Sequence, residues 1–200
     1  MNKIIFALTA FSLLVSCSST QIVSSWKDPA TTISAHQIDK VLFIALVKNE
    51  SYRRVMEDKL VTLSKGKGVP SYTFVTGSNL TDTDKAAISK RLKTDGIDLI
   101  VIMRLLDIKE ETRYVPGSAM PGYGGYWGGY RYAAPLYYSP GYYTKDNKYL
   151  VETDVYSVEQ DKLLWSGTTS SMNPSKIDTT TAEIADAVIE KMKEEGFLLQ

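Results

Sequence analysis

The sequence predicts an α/β fold, of the α+β kind, in which a mixed sheet of about five strands carries helices. Three apolar runs alternate with two amphipathic helical patterns, and this order predicts parallel strands joined by right-handed crossovers. Two further runs with an alternating pattern predict an antiparallel hairpin, and a last amphipathic pattern predicts a C-terminal helix. The predicted order is therefore β-α-β-α-β, a Tyr/Gly-rich loop, β-β and α.

The β-α repeats lie in the first half of the chain. Residues 40–47, 69–76 and 97–106 are the three apolar runs, and the first reads as a strand buried on both faces. Asn49 is a predicted N-cap for the first helix. The second helix begins with the capping pair of Thr81 and Asp84. The apolar stripe of the first helix is expected to contain Tyr52, Val55, Met56, Leu60 and Leu63.

The hairpin and the last helix follow the Tyr-rich segment. Residues 149–158 alternate in polarity, residues 159–162 form a polar turn, and residues 163–172 return as the second strand. One face of the first strand is expected to carry Val151, Thr153 and Val155. Asp178 or a following Thr is the predicted cap of the last helix. Its buried stripe is expected to contain Ile184, Ala185, Val188, Ile189 and Met192.

The N-terminus has the composition of an export signal. An uncharged run follows Lys3 and is too short to cross a bilayer as a helix, which needs about 20 apolar residues. Residues 1–16 are therefore predicted to be a signal peptide. Leu14-Val-Ser-Cys17 resembles the bacterial lipoprotein processing signal, in which the Cys receives lipid. Residues 17–21 are then a lipidated Cys and a short tether, and residues 22–200 form one domain with an insertion at about 114–145.

The residues after Cys17 and the charge balance give expectations about the protein's location and partners. Ser18 and Ser19 follow Cys17 without an acidic pair, which resembles a Gram-negative lipoprotein sent to the outer membrane, and the periplasmic face is expected. The chain has 23 Lys plus Arg and 23 Asp plus Glu. Because this balance gives no basic footprint, nucleic acid is not an expected partner.

Few residues are available for catalysis. Cys17 is the only cysteine and His36 the only histidine, so a Cys-based zinc site, a second thiol nucleophile and a His-rich metal site are not expected. The motifs of serine hydrolases, P-loop nucleotide sites and calcium loops are absent from the sequence. The adjacent carboxylates Glu57-Asp58, Glu110-Glu111 and Glu194-Glu195 are interpreted as solvated faces. We expect no enzyme activity, no cofactor and no metal.

One charge lies within an apolar strand. Arg104 is in the third predicted strand, and an unpaired buried charge would cost much free energy. We expect Arg104 to form an ion pair with a carboxylate of the neighbouring hairpin, either Glu152 or Asp154. The alternative is an anion-binding Arg, which would require an exposed and unpaired guanidinium in a pocket.

Several stretches together resemble one protein family. They are SSWKDP (24–29), VLFIALVKN (41–49), YRRVMEDKL (52–60), RLLDIKEETRYVPG (104–117) and LVETDVYSVEQDKLLWSGTTSSMNP (150–174). They resemble a family of Gram-negative envelope lipoproteins defined only as a domain of unknown function. The resemblance implies an α/β fold similar to the small periplasmic domain that begins the Tol-system propeller protein, and to lipoproteins that activate cell-wall synthases. It implies no catalytic residues.

Residues 121–143 form the most unusual segment. They contain eight Tyr, one Trp, six Gly and three Pro, with Arg131 as the only charge. Tyr and Trp dominate recognition surfaces because they offer large apolar area with a polar group and little rotamer entropy. The candidate binding residues are Tyr123, Tyr126, Trp127, Tyr130, Tyr132, Tyr137, Tyr138, Tyr142 and Tyr143.

Three functions are compatible with this pattern. The first is a membrane-anchored periplasmic lipoprotein that acts as a non-catalytic binding or scaffolding module and contacts an envelope protein through the Tyr-rich loop. The alternative is a lipoprotein that binds cell-wall or polysaccharide glycan by stacking of its aromatic rings. In the third interpretation the segment is a connector whose rings pack on the domain itself or on the lipid headgroups.

Overall fold

The computed structural model describes residues 19–74, 82–115 and 141–199, with the backbone alone for 82–86. Three α-helices in this part of the chain are α1 (Glu50–Leu63), α2 (Asp82–Thr94) and α3 (Ile177–Glu194). Short 3₁₀ helices span Ala35–Gln37 and Ser71–Thr73. The strands are β1 (Thr20–Lys27), β2 (Ile33–Ser34), β3 (Val41–Leu46), β4 (Gly68–Pro70), β5 (Leu99–Val115), β6 (Tyr142–Ser157), β7 (Lys162–Met172) and β8 (Leu198–Leu199).

Six of the strands form one mixed sheet in the order β1-β7-β6-β5-β3-β4. β3 is parallel to β4 and β5, whereas β5, β6, β7 and β1 are successively antiparallel. The α/β class, the mixed sheet and the hairpin are therefore as predicted. A separate pair joins β2 to β8 in parallel.

The sixth strand of the sheet is β1, which the sequence analysis did not identify. β1 begins at Thr20, within the predicted tether and two residues before the predicted start of the domain, and Thr20 pairs with Ser171. The polar-apolar alternation typical of a strand is interrupted in β1. Its register shifts between Ile22 and Ser24, which places Val23 in a bulge. Three serine or threonine residues also weaken its apolar pattern.

The second predicted strand is much shorter than expected. Only Gly68–Pro70 pairs with β3, and the chain then turns into the 3₁₀ helix at Ser71. Pro70 has no amide hydrogen to continue the ladder. The hydroxyl of Ser71 and the amide of Tyr72 are instead directed to the carboxylate of Glu57 on α1, at 2.7 and 3.3 Å. Residues 75–76 lie outside the described part of the chain.

Helices cover both faces of the sheet. On one face α1 and α3 bury Met56, Leu60 and Val188 against β3, β5 and β6. On the other face α2 buries Leu92 against Leu42 of β3. Val151, Thr153 and Val155 are all buried, as the alternation of β6 predicted.

The helix ends are partly as predicted. The Asn49 side chain accepts hydrogen bonds from the amides of Ser51 and Tyr52, as expected of an N-cap. The predicted cap of α3 is wrong, because Asp178 already lies in its first turn and Lys176 occupies the N-cap without a side-chain bond. The described side chains do not include Thr81 and Asp84.

Asp28 connects the end of β1 to the start of β7. Its carboxylate accepts hydrogen bonds from Lys162 Nζ at 2.6 Å and from the Thr31 hydroxyl at 2.5 Å. The ion pair with Lys162, helped by Thr31, lowers the pKa of Asp28 to about 2. The folded protein therefore favours the ionised form of this carboxyl group.

This lowered pKa makes a pH-dependent contribution to stability. Because the pKa of an unfolded Asp is about 3.9, the contribution is complete above that pH and is lost as the pH falls towards 2. We expect Asp28→Asn to lower the free energy of unfolding at pH 7, and its difference from wild type to shrink between about pH 4 and pH 2. Urea unfolding of both proteins across this range measures the difference. A difference that stays constant or grows on acidification would contradict the assignment.

Candidate binding surface

β5 and β6 extend beyond the rest of the sheet as a two-stranded arm. β3 accompanies β5 only as far as Arg104, and β7 accompanies β6 only from Lys148 onwards. Residues 110–115 and 142–147 therefore have only each other as strand partners. We call these two segments the arm. The Tyr-rich residues 116–140 connect its strands and lie outside the described part of the chain.

A bulge at the base of the arm changes which side chains share a face. The register shifts between Leu105 and Asp107, so Leu106 is the additional residue. Ile102 pairs with Asp154 but Ile108 pairs with Tyr149, five residues away on β6. Because side chains alternate along a strand, Ile108 lies on the opposite face from Ile102.

Ion pairs connect the two strands of the arm diagonally. Lys145 Nζ lies 2.8 Å from Glu110, and an Arg113 nitrogen lies 2.9 Å from Asp146. Diagonal partners are within reach of long side chains in an antiparallel pair. Exposed ion pairs contribute little to stability because water screens them, but both of these pairs are compatible only with the observed register of the two strands.

Aromatic rings lie at the outer end of the arm. Tyr114 and Tyr143 are directly paired, and their ring centroids are 5.1 Å apart at an angle of 54°. The side chain of Tyr143 is 73% exposed, and Tyr142 and Tyr114 are also exposed. The Tyr114 ring lies against Gly141, where an added Cβ would be 2.2 Å from its hydroxyl oxygen. Gly141 thus permits the close approach of this ring.

The structure describes two of the nine candidate aromatic residues. Tyr142 and Tyr143 begin β6 and present their rings to solvent. The predicted lipidation site, Cys17, lies outside the described residues. So do the other seven candidates, Tyr123, Tyr126, Trp127, Tyr130, Tyr132, Tyr137 and Tyr138. Their roles remain predictions.

Arg104 lies opposite Glu152 in the sheet and forms an ion pair with it. The guanidinium donates from Nε to the Glu152 carboxylate, and this bond raises the pKa of Arg104. Asp154, the other candidate partner, is two residues along β6 on the same face. Because the guanidinium already has a carboxylate partner, an anion-binding role for Arg104 has no support in the structure.

The sequence analysis placed Glu57 on a solvated face, and this is wrong. Its side chain is fully buried, and its carboxylate accepts hydrogen bonds from the Ala45 amide at 3.0 Å and from Ser71 and Tyr72. One signal was available, since Glu57 follows Met56 and precedes Leu60 by three positions on the apolar side of α1. These hydrogen bonds join α1 to β3 and to the 3₁₀ helix after β4, so Glu57 stabilises the fold.

Two kinds of functional feature are not found among the described residues. No group of three or more His, Cys, Asp or Glu side chains is placed to hold a metal ion. None of the described helices has both the length and the apolar character that a membrane span requires. His36 is exposed within the 3₁₀ helix Ala35–Gln37.

Comparison with known proteins gives only distant likenesses. No family model and no curated protein matches the chain. The solved structures similar to it include the PelC dodecamer from Paraburkholderia phytofirmans, with 11% identity, 84% of this chain and 94% of that chain covered, and a TM-score of 0.41. They also include lipoprotein GNA1162 from Neisseria meningitidis, with 12% identity, coverage of 78% and 98%, and a TM-score of 0.39. At TM-scores this low, neither likeness supports an inference about this chain.

Proposed function

We propose that the protein is a lipid-anchored, non-catalytic binding module of the Gram-negative envelope, held at the periplasmic face of the outer membrane. In this proposal the arm and residues 116–140 contact a protein partner. The observation that carries the proposal is the arm itself, which presents exposed rings on a register held by ion pairs. Exposed Tyr side chains are typical of recognition surfaces.

The position of β1 adds a spatial argument. Thr20 of β1 pairs with Ser171 of β7, which pairs with Tyr149 of β6. These three residues lie at the end of the sheet from which the arm extends. Cys17 is three residues before Thr20, a span of at most about 10 Å. A lipid on Cys17 would therefore place the base of the arm beside the membrane. The fitting partner is a protein of that membrane or one bound at its surface.

Photo-cross-linking in intact cells tests this proposal. The full chain carries a photoreactive amino acid at position 143, which is exposed on the arm, or at position 90 on α2 as a matched control. We expect a protein adduct from position 143 and none from position 90. Replacement of residues 116–140 by a Gly/Ser linker of equal length should remove the adduct while keeping the arm.

Two outcomes would count against the proposal. An adduct that persists after the replacement would show that the Tyr-rich segment is not the contact. Absence of any adduct from position 143, together with retention of the protein on cell-wall sacculi that depends on residues 116–140, would favour the glycan-binding alternative. Stacking of sugar rings on exposed Tyr side chains is the physical basis of that alternative.

A further inference from the structure

A cavity of about 320 Å³ lies between α1, α3 and the sheet face that they cover. This volume is within the range of small-molecule sites. Its walls are almost entirely apolar and include Phe43, Val101, Met103, Val155, Val188 and Phe197. Ile33 of β2 and Leu198 of β8 also line the cavity. The cavity is distinct from the arm and its aromatic rings.

The opening of the cavity lies between the C-terminal halves of α1 and α3. Leu63 on α1 and Ile189 on α3 both line the cavity, and they are 37% and 39% exposed. Leu63 was predicted in the apolar stripe of the first helix and Ile189 in the buried stripe of the last helix. The structure leaves both side chains partly exposed where they line the cavity. Apolar side chains therefore flank an opening to solvent.

The charge at this opening is positive. Among the described residues that line the cavity, the ionisable side chains are Lys65 and Lys67. Lys67 Nζ donates to the carbonyl oxygens of Ala35 and Ile38, at 3.0 and 2.6 Å. An ammonium group has three protons, so one remains for a further acceptor. No ion pair with either lysine occurs in the described part of the chain.

We propose that this cavity binds a free single-chain fatty carboxylate. The acyl chain lies along the sheet between α1 and α3, and the carboxylate lies at the opening beside Lys65 and Lys67. An apolar interior with two unpaired cations at its rim is complementary to an anionic amphiphile and unfavourable for a cationic one. Leu99 and Met103 both line the cavity, and four residues of strand give it a length of about 13 Å.

The lipid on Cys17 is a poor candidate for this cavity. Thr20 of β1 is aligned across the sheet, through Ser171, with Tyr149 of β6. The opening instead lies near Ser157 of β6, which pairs with Leu99. Tyr149 and Ser157 are eight residues apart along β6, a distance of about 26 Å. The anchor and the opening are thus at opposite ends of the sheet, and the ligand is a free molecule.

Calorimetric titration tests the proposal directly. A chain beginning at Ser18 contains every helix and strand that the structure describes, and it is titrated with dodecanoate below the micelle threshold. We expect saturable binding of one dodecanoate per chain. Dodecyltrimethylammonium, which has the same chain and the opposite charge, should bind at least about tenfold more weakly, since a charge-assisted hydrogen bond at Lys67 is absent.

Variants at the opening separate specific binding from partitioning. Ile189→Glu adds a negative charge at an exposed position of the rim and should weaken dodecanoate binding at least about tenfold. Ala187→Glu, on the side of α3 that faces β1, is the matched control and should leave the affinity unchanged. Lys65→Gln, also at an exposed position, should weaken dodecanoate and not the cationic amphiphile. Ala185→Leu should reduce the affinity for both by filling the cavity.

Three results would overturn the proposal. The first is absence of saturable dodecanoate binding to the wild-type chain. The second is equal affinity for the two amphiphiles, which would indicate apolar partitioning alone. The third is an equal effect of Ala187→Glu and Ile189→Glu. Thermal unfolding of each variant establishes that it is folded, and Lys65→Gln supplies the charge test if Ile189→Glu does not fold.

Discussion

Replacement of Glu57 by Ala is expected to lower the free energy of unfolding by about 3 kcal/mol. Glu57 is buried in α1, and its carboxylate accepts hydrogen bonds from Ala45, Ser71 and Tyr72. A buried donor that loses its acceptor costs about 1–3 kcal/mol, and at least the Ala45 amide and the Ser71 hydroxyl are buried with Glu57. The loss of two such bonds accounts for the expected value.

The size of this effect follows from the geometry of the sheet edge. Among the described strands, β5 pairs with β3 at Ala45, but on the other side β4 pairs with β3 only as far as Phe43. The Ala45 amide donates to the Glu57 carboxylate, which also accepts hydrogen bonds from the 3₁₀ turn that follows β4. A polar side chain from a helix thus completes a backbone ladder.

Urea unfolding followed by circular dichroism measures this prediction. Asp58→Ala is the matched control, because Asp58 is the next residue on α1 but is exposed, and its carboxylate accepts a hydrogen bond from the Tyr72 hydroxyl at the surface. We expect the control to cost about 1 kcal/mol or less. Equal losses in the two variants would show that the Glu57 hydrogen bonds are not what stabilises this edge.

Replacement of Trp165 by Ala is expected to lower the free energy of unfolding by about 3–5 kcal/mol. Trp165 is fully buried in β7, and its ring lies over Gly167, where an added Cβ would be 2.1 Å from a ring carbon. Its indole nitrogen donates to Glu195 at 2.9 Å. Removal of the ring leaves a large cavity and also leaves this carboxylate without one of its donors.

The Glu195 carboxylate connects this ring to the end of α3. Burial alone would raise the pKa of Glu195, but hydrogen bonds from Ser25 and Trp165 and the charge of Lys191 lower it overall. Glu195 thus joins β1, β7 and the segment after α3. Like Glu57, it was predicted to lie on a solvated face, and the structure places it at a junction of three elements.

Trp26→Ala is the matched control for Trp165→Ala. Trp26 lies in the neighbouring strand β1 and is 49% exposed. We expect its loss to change the free energy of unfolding by about 0.5 kcal/mol. Circular dichroism is the suitable signal, because both variants alter the fluorescence of the chain. A large loss for Trp26→Ala would mean that this edge of the sheet is more tightly packed than the structure shows.

The helices and hairpin could be predicted because their signals are local. Asn49 caps α1, and the alternation of Val151, Thr153 and Val155 places these residues on one buried face. Such patterns depend on residues a few positions apart, which interact within one turn or one strand. The partner of Arg104 could also be predicted, because the neighbouring hairpin offers carboxylates, although the burial that motivated the prediction is absent: the Arg104 side chain is 50% exposed.

β1 and Glu57 could not be predicted in the same way. Thr20 pairs with Ser171, 151 residues away, and the hydroxyl groups of these two residues are 2.7 Å apart. No local pattern specifies which distant strand will accept a short segment rich in Ser. Glu57 was predicted to lie at the surface because the amide that donates to it belongs to β3, which is distant in sequence from α1's own helical pattern.

The sequence by itself determined the α/β class, the order of the main elements and the unusual aromatic content of residues 121–143, and it predicts a lipid on Cys17. The tertiary structure alone decided that the base of the arm and the first residues of β1 lie at one end of the sheet and the two lysines that line the cavity at the other. The physical reason is the sequence separation over which each kind of interaction acts. Propensity and periodicity act over a few residues, whereas strand order, burial and cavities arise from contacts between residues far apart in the chain.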